Sequence, residues 1–393
     1  MPNTKTIFRK LKIITSHDAE PAGLYIHIPF CVKKCSYCNF YSIANPLFKE
    51  EITGALKHEI QISPNNCFLF DTIYIGGGTP SILDAEIIGE IIDTALGSFK
   101  ICSDPEITVE VNPCTSDYYK FKYYKECGIN RINIGVQSFR DINLKFLGRI
   151  HTGNDALSAV KSARKAGFDN IGIDLIYGIP GQSVNSWLVD LQMAVELEPE
   201  HLSCYMLTYE SGTVMEKRMQ KGFFRPSSDS LVSKLFITTT EFLEAHSYCQ
   251  YEISNFARSE NKRSKHNLKY WSSIPYMGIG PSAHSFTGDT RYWNYSSISK
   301  YLKNLGKGHL PIEGKELLTG QQQMIEAIYL GLRKSEGIRI DHFDGKFNIS
   351  FLKKFKKLIG HLEEKQMIKT TKDSCMLTQR GRLFIDSIAL MFI

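Results

Sequence analysis

Short β-branched runs recur along the first half of the chain. Each ends in a polar or glycine-rich cluster and is followed by a stretch of helical period. The runs lie at 24–28, 72–75, 107–111, 131–135, 171–176 and 201–207, with helical stretches such as 48–62, 85–96 and 155–166 between them. Strand, helix, strand at this spacing predicts parallel βα units and an α/β fold. Six units over residues 20–215 fall short of a closed eight-stranded barrel, so a partial barrel is expected. An open doubly wound sheet is the rival, and spacing alone does not separate the two.

The residues that break the apolar pattern sit at the ends of these runs. Gly76-Gly77-Gly78-Thr79 follows the second, Glu110 and Asn112 end the third, Gln137 and Ser138 follow the fourth, Asp174 lies in the fifth, and 205–208 closes the sixth. In parallel βα folds the C-terminal strand ends form the reactive face, so these residues are expected to converge on one site. Beyond Val214 the pattern changes. A helix is predicted over 229–245, then a compact segment rich in aromatics and glycine over 251–295. From about Thr319 come an amphipathic helix (322–332), a Lys-rich helix (350–364), two short runs (367–369, 376–378) around a polar turn, and a last helix from Arg380. That order predicts a winged-helix-like α+β module. The expected organisation is an N-terminal segment (1–20), the partial barrel (21–215), a connecting subdomain (216–318) and the C-terminal module (319–393).

Composition changes this picture little. The chain has 393 residues, 42% hydrophobic and 22% charged, which excludes collagen, coiled coil and bulk disorder. No apolar run approaches the length that spans a bilayer, so no integral membrane segment is expected, although a peripheral contact stays open. The basic start (Lys5, Arg9, Lys10, Lys12) is not followed by the apolar core of a secretory signal, so a cytoplasmic location is expected. The net charge of +6 is carried wholly from Gly331 onward, where 13 basic residues face 7 acidic ones. Within that excess, Lys353, Lys354, Lys356 and Lys357 could form a basic helix face for nucleic acid, but a solvated face is the preferred reading and nucleic acid is not an expected partner.

Of the 10 cysteines, Cys67, Cys102, Cys114, Cys127, Cys204, Cys249 and Cys375 are scattered and read as small buried hydrophobes, with disulfides not expected in a reducing compartment. Cys31, Cys35 and Cys38 differ, because they crowd one loop after the first strand with the spacing C-x3-C-x2-C. A structural zinc takes four protein ligands, and no fourth stands at conventional spacing, so zinc with a distant ligand such as His27 is the minority reading. Iron–sulfur clusters are held by cysteine thiolates, and three of them would leave one iron of a cubane open to a small molecule.

With these residues in view the chain resembles the radical S-adenosylmethionine (SAM) proteins, for which C-x3-C-x2-C after a first strand is the hallmark. The later segments are similar to the HemN/HemW branch: Gly76-Gly77-Gly78-Thr79-Pro80-Ser81, Glu110-Val111-Asn112-Pro113, Gly135-Val136-Gln137-Ser138-Phe139, the stretch from Asp174 to Gln182, Tyr251-Glu252-Ile253-Ser254-Asn255 and His266-Asn267-Leu268-Lys269-Tyr270-Trp271. The resemblance implies a partial (β/α)6 radical SAM barrel with a HemN-type C-terminal domain. It also implies a [4Fe–4S] cluster on Cys31, Cys35 and Cys38, whose open iron binds SAM and whose electron cleaves it to a 5′-deoxyadenosyl radical. Gly77, Gly78, Thr79 and Glu110 would then cradle SAM, Tyr25 and Tyr37 would wall the cluster and adenine, and Gln137, Arg149 and Asp174, together with Gly78 and Thr79, match positions around a second SAM molecule. Taken alone, Asp174 could be a buried cap or ion-pair carboxylate and Arg149 a solvated helix-end charge.

Within the branch, HemN-type oxygen-independent coproporphyrinogen III oxidases continue the motif as C-x-x-C-x-C, whereas here Phe40 stands two residues after Cys38. That departure and the H-N-x-x-Y-W segment are typical of the HemW type. The resemblance therefore implies haem as a ligand, with His266, Asn267, Tyr270 and Trp271 as the haem-binding residues and acceptor haemoproteins as partners, while porphyrinogen decarboxylation is the alternative. SAM cleavage is compatible with either type. A histidine can supply an axial ligand to haem iron, and His284 is a second candidate. Cys114 stands where relatives commonly carry glycine and is not assigned to the cluster.

Overall fold

The computed structural model describes residues 20–44, 48–65 and 67–392. The expected N-terminal segment 1–20 thus lies outside the described residues except for Glu20. Among the described residues fifteen strands are present in chain order: β1 (Ala22–Ile28), β2 (Leu69–Gly77), β3 (Lys100–Val111), β4 (Arg131–Gln137), β5 (Ile171–Tyr177), β6 (His201–Met206), β7 (Cys249–Gln250), β8 (Asn255–Ala257), β9 (Tyr276–Ile279), β10 (His284–Phe286), β11 (Thr290–Asn294), β12 (Ile312–Leu317), β13 (Ile338–Arg339), β14 (Ile368–Thr370) and β15 (Ser374–Leu377). All six predicted runs are strands β1–β6, and the helices Lys49–Ile62, Ala85–Ser98 and Gly153–Lys165 stand where helical period was read.

The chain forms two compact units that do not follow chain order. The first contains residues up to Asp174, Thr208–Phe223 and Ile274–Glu316; the second contains Leu175–Leu207, Phe224–Ser273 and Leu317–Ile393.

In the first unit β1, β2, β3 and β4 pair in parallel as successive neighbours, and β9 pairs in parallel on the other side of β1. Consecutive strands that add in one direction wind a barrel; a doubly wound sheet reverses its direction at a switch point. The antiparallel strands β10 and β11 continue from β9, and β12 ends that side. Alternation along the strands sorts the residues by face. Leu24, Ile26, Ile28, Ile73, Ile75, Ile107, Val109, Val111, Ile132, Ile134, Val136, Ile171 and Ile173 are all buried on one face. The helices that alternate with these strands bury Ile52, Leu56 and Ile60, Ile88, Ile91 and Ile92, and Ala156, Ala159 and Val160. The opposite face is polar: Tyr25, His27, Thr72, Tyr74, Thr108, Glu110, Arg131, Asn133 and Asp174, with Gly76, Gly135 and Gly172 between them. Parallel strands buried on both faces ordinarily read as continuous hydrophobic runs, so a polar inner face reserves that side for chemistry.

In the second unit β6, β8 and β7 form an antiparallel set, and helix Asp229–Ala245, capped by Ser228 accepting from Leu231 N, matches its prediction. The C-terminal module has helices Gly320–Arg333, Ile340–Phe347 and Lys356–Glu364 beside the three-stranded sheet β13-β15-β14, as a winged-helix-like shape requires. Two single helices expected there are each broken. Residues 350–364 form Phe351–Lys354 and Lys356–Glu364, separated by Phe355 (φ −104°, ψ 15°), which turns its ring onto Phe351 and Phe392 in the core. The last helix is likewise split into Gln379–Arg382 and Ile385–Leu390. No helix among the described residues is long and apolar enough to cross a membrane.

Candidate functional site

The cysteine loop leaves β1 at Pro29 and is closed at its neck, where Cys31 N donates to Ile43 O (3.0 Å) and Ile43 N to Pro29 O (2.6 Å). Its middle is pinned by Ser36. The amide and hydroxyl of Ser36 both donate to Leu147 O (3.2 and 2.9 Å), and its carbonyl accepts from Met215 N (2.9 Å). The three thiols are partly exposed on this loop. Among the described residues no three His, Cys, Asp or Glu side chains converge as the ligands of one metal ion do. The thiolates of a cubane each bind a different iron and so enclose a volume instead of a point, and a short loop carrying three thiols fits that demand. His27 does not complete a zinc site. It is buried, its Nε2 donates to Tyr41 O (3.0 Å), its Nδ1 accepts from Tyr25 Oη (3.0 Å), and burial lowers its pKa to about 4.

The thiols have polar neighbours. Thr79 Oγ1 lies 3.7 Å from Cys31 Sγ and Arg149 Nη1 3.7 Å from Cys35 Sγ. Arg149 is no solvated helix-end charge. Its Nη2 donates to Gly135 O (2.6 Å), its guanidinium lies against Tyr37, and its Nε is buried with no hydrogen-bond partner among the described residues. Burial pushes the Tyr37 phenol far up and keeps it neutral, against the pull of Arg149. Burial likewise raises the Cys38 thiol, and the neighbouring Cys35 and Cys31 add to the shift.

The glycine turn after β2 is built for close approach. A Cβ on Gly78 would meet Phe30 O at 2.5 Å, and one on Gly77, whose φ is +117°, would meet the His27 ring at 2.7 Å. Glu110 faces this turn, where Oε2 accepts from Gly77 N (3.2 Å) and Oε1 from Tyr74 Oη (2.8 Å). Burial raises the pKa of Glu110 to about 7, although Tyr74 and Gly77 both favour the anion. On the next strands Gln137 adopts φ +67°, bringing its amide to 3.0 Å from where a Cβ on Gly135 would stand, and Asn133 Nδ2 donates to Asp174 Oδ2 (2.7 Å). The structure therefore brings Tyr25, Tyr37, Gly77, Gly78, Thr79, Glu110, Gln137, Arg149 and Asp174 into the same unit as the cysteine loop, those on strands sharing the inner face and the C-terminal strand ends. Cys114 is exposed, is bonded through its thiol to Asn112 Oδ1 (3.5 Å), and lies within electrostatic reach of Arg149 and Cys35. Sequence reasoning passed over His27 as a partner of Tyr25, and also Tyr74, Arg131 and Asn133. Their signal was the strict polar–apolar alternation within β1–β4, which places all four on one face.

The segment 266–271 lies in the second unit, on helix Lys265–Trp271 with Ser264 as N-cap. His266 is 1% exposed, its Nε2 hydrogen-bonded to Tyr270 Oη (2.9 Å) and its ring edge-on to that phenol. Asn267, Tyr270 and Trp271 are half-buried. The Arg333 guanidinium lies over Trp271, 4.6 Å from the ring centroid, and pairs with the fully buried carboxylate of Glu252. Trp271 Nε1 is buried and has no hydrogen-bond partner among the described residues.

Comparison with known proteins agrees with this geometry. The model of the radical SAM superfamily matches residues 25–194, and that of the HemN C-terminal domain matches residues 318–384. Fold and cysteine loop thus define a radical SAM protein, a class that implies a [4Fe–4S] cluster and SAM. A heme chaperone HemW of Bacillus subtilis is 36% identical over 91% of this chain and 96% of its own length, and that of Lactococcus lactis is 32% identical over 92% and 94%. A mitochondrial radical SAM domain-containing protein 1 of Danio rerio is 33% identical over 84% of this chain and 77% of its own. The structure of the coproporphyrinogen III oxidase HemN from Escherichia coli superposes with a TM-score of 0.84 over 100% of this chain and 93% of its own at 21% identity, a likeness of fold. The chain belongs to the HemW family within the HemN/HemW branch.

Proposed function

We propose that this protein is a haem chaperone that carries a [4Fe–4S] cluster and SAM, binds haem and passes it to acceptor haemoproteins in the cytoplasm. The observation that supports this reading most directly is the loop itself, which has three thiols and Phe40, 72% exposed, at the position where the oxidase type continues with cysteine. The names of the HemW relatives point the same way.

Cys31, Cys35 and Cys38 would hold the cluster, which when bound supplies the electron for reductive cleavage of SAM. The rest is work for the chain's own groups. Gly77 and Gly78 let backbone approach the methionine end of SAM closely, and Thr79 closes that turn over Cys31. Glu110, held by Tyr74, offers carboxylate oxygens to ribose hydroxyls. Tyr25 and Tyr37 would wall the cluster and adenine. Arg149, whose Nε is buried without a partner among the described residues, would offer that donor to a carboxylate, and Gln137 and Asp174 would complete the polar wall on β4 and β5. In the second unit, His266, Asn267, Tyr270 and Trp271 form the haem-binding segment.

Anaerobically reconstituted protein tests the reading. Haem titration followed by optical spectra should show stoichiometric binding, and incubation with coproporphyrinogen III and SAM should leave the porphyrinogen unchanged by chromatography. Conversion of coproporphyrinogen to protoporphyrinogen without haem binding would replace this reading with the oxidase. Zinc in place of iron would remove both.

A further inference from the structure

The haem segment named above contains a histidine that is poorly placed to reach iron. His266 is 1% exposed and its Nε2 is engaged by Tyr270 in the same helix. To bind a porphyrin iron through that nitrogen, the ring would have to leave the Tyr270 hydroxyl and emerge from the packing. A second imidazole is presented differently.

His284 lies on β10, directly opposite Trp293 on β11. The two rings are stacked, with centroids 5.8 Å apart and planes at 26°. His284 is exposed, and among the described residues no hydrogen bond engages either of its ring nitrogens. The register shows which way it faces. Tyr25 pairs with Gly278, Phe286 with both Tyr276 and Arg291, and His284 with Trp293. Since alternate residues share a face, His284, Phe286, Trp293 and Arg291 stand on the face of Tyr25 and His27, the polar side that carries the candidate SAM residues. The other face of β9–β11, with Met277, Ile279, Ser285, Tyr292 and Asn294, is buried. Between β1 and this platform lies Gly278, where a Cβ would strike His284 O at 2.2 Å, so no side chain separates the two.

We propose that His284, seated on Trp293, is the axial ligand this chain offers to the iron of a porphyrin. The platform matches the chemistry of such a ligand. Trp293, stacked on the imidazole, fixes the orientation of that ring, and Phe286 and Tyr276 pack beside it as apolar neighbours. Arg291, whose guanidinium lies 5.8 Å from the Phe286 ring centroid, brings a cation to the edge where porphyrin propionates would lie. The His284 ring, partly desolvated against Trp293 and near Arg291, has a pKa below the usual histidine value and is neutral at physiological pH, as metal ligation requires.

This inference rests on the haem-binding reading, and one experiment separates the failure of each. The full-length protein is titrated with ferric protoporphyrin IX, and optical and electron-spin spectra report the axial ligand for wild type, His284→Ala and, as a control at an exposed histidine outside the platform, His342→Ala, with circular dichroism as the folding check. The expected result is a histidine-ligated spectrum in wild type that persists in His342→Ala. It should be lost in His284→Ala, with roughly tenfold or greater weakening, and be restored by added imidazole. Persistence of histidine ligation in His284→Ala overturns the inference and leaves the haem reading standing. A wild type that takes up no haem sinks the haem reading itself, and the assignment of His284 with it.

Discussion

On the inner face of β1–β5 the polar side chains meet one another across strands. Tyr25 bonds His27, Tyr74 bonds Glu110, Asn133 bonds Asp174, and Arg149 reaches Gly135 and Cys35. On helix Lys265–Trp271 the polar side chains turn into local packing instead, with His266 on Tyr270 and Trp271 under Arg333. Both regions were marked by short motifs of chemically rich residues. In the first the motif residues line one polar face in the unit that carries the cysteine loop; in the second they are in large part the joinery of the unit. A motif therefore states which residues occur together, while their burial and partners state what they are placed to do.

Four perturbations would break or sharpen this contrast. The largest effect is expected from Cys31→Ala, Cys35→Ala or Cys38→Ala, each of which should abolish iron and acid-labile sulfide uptake on anoxic reconstitution. Trp271→Ala should leave iron content at the wild-type level. A single-cysteine variant with full iron content would end the assignment of the loop.

Next comes Arg333→Met, which leaves the buried Glu252 carboxylate without its cation and Trp271 without its cover. Breaking a buried pair by removing one partner costs about 3–5 kcal/mol, and denaturant unfolding should show a loss of that order with iron uptake unaffected. An unchanged midpoint would show that Glu252 and Arg333 do not tie the second unit together.

Smaller still is Gly78→Ala. Overpacking costs typically about 1–3 kcal/mol, and here the new methyl meets the Phe30 carbonyl, so stability and SAM affinity by equilibrium dialysis should both fall. Gly54→Ala in helix Lys49–Ile62, with nothing within 4 Å of the added carbon, should instead be neutral or stabilising. Equal effects at the two glycines would refute the close-approach argument.

The smallest effect concerns pH. Burial lifts Glu110 from its ordinary 4.5 to about 7, so between those values the folded protein binds more protons than the unfolded chain, and this residue's contribution to stability falls as pH rises. Glu59, held by Tyr301, Asn294 and Gly280, is also raised to about 7 by burial and adds the same sign. Glu110→Gln should flatten the decline of unfolding free energy over pH 4.5 to 7, and Glu59→Gln should flatten it further. A slope that does not change in either variant would show that neither carboxylate retains its proton in the folded state.

Much of the first unit was legible because its signals are local. A β-branched run, a glycine triplet and three thiols in one loop act within a few residues of themselves, and β1–β6 lie where those runs were read. The glycine turn was legible for the same reason, since φ +117° at Gly77 is a demand only glycine meets readily. Less legible were the strands β9–β12, whose pairing on the far side of β1 joins residues hundreds of positions apart. The break at Phe355 was also hidden, because helical period carries through it and only the core, by drawing Phe351 and Phe355 inward together, makes the interruption favourable. The units themselves interleave three stretches of chain each, and no boundary signal in composition marks a contact that returns from so far away.

By itself the amino-acid sequence determined the donor chemistry: three thiols crowded into one loop, glycines where backbone must come close, and histidines beside aromatic residues. Which imidazole stands exposed on the polar face of β1 and which is folded away was decided only by the tertiary structure. His266 and His284 are chemically identical, and their difference comes from strand register and from what packs against each ring, neither of which is written at the residue.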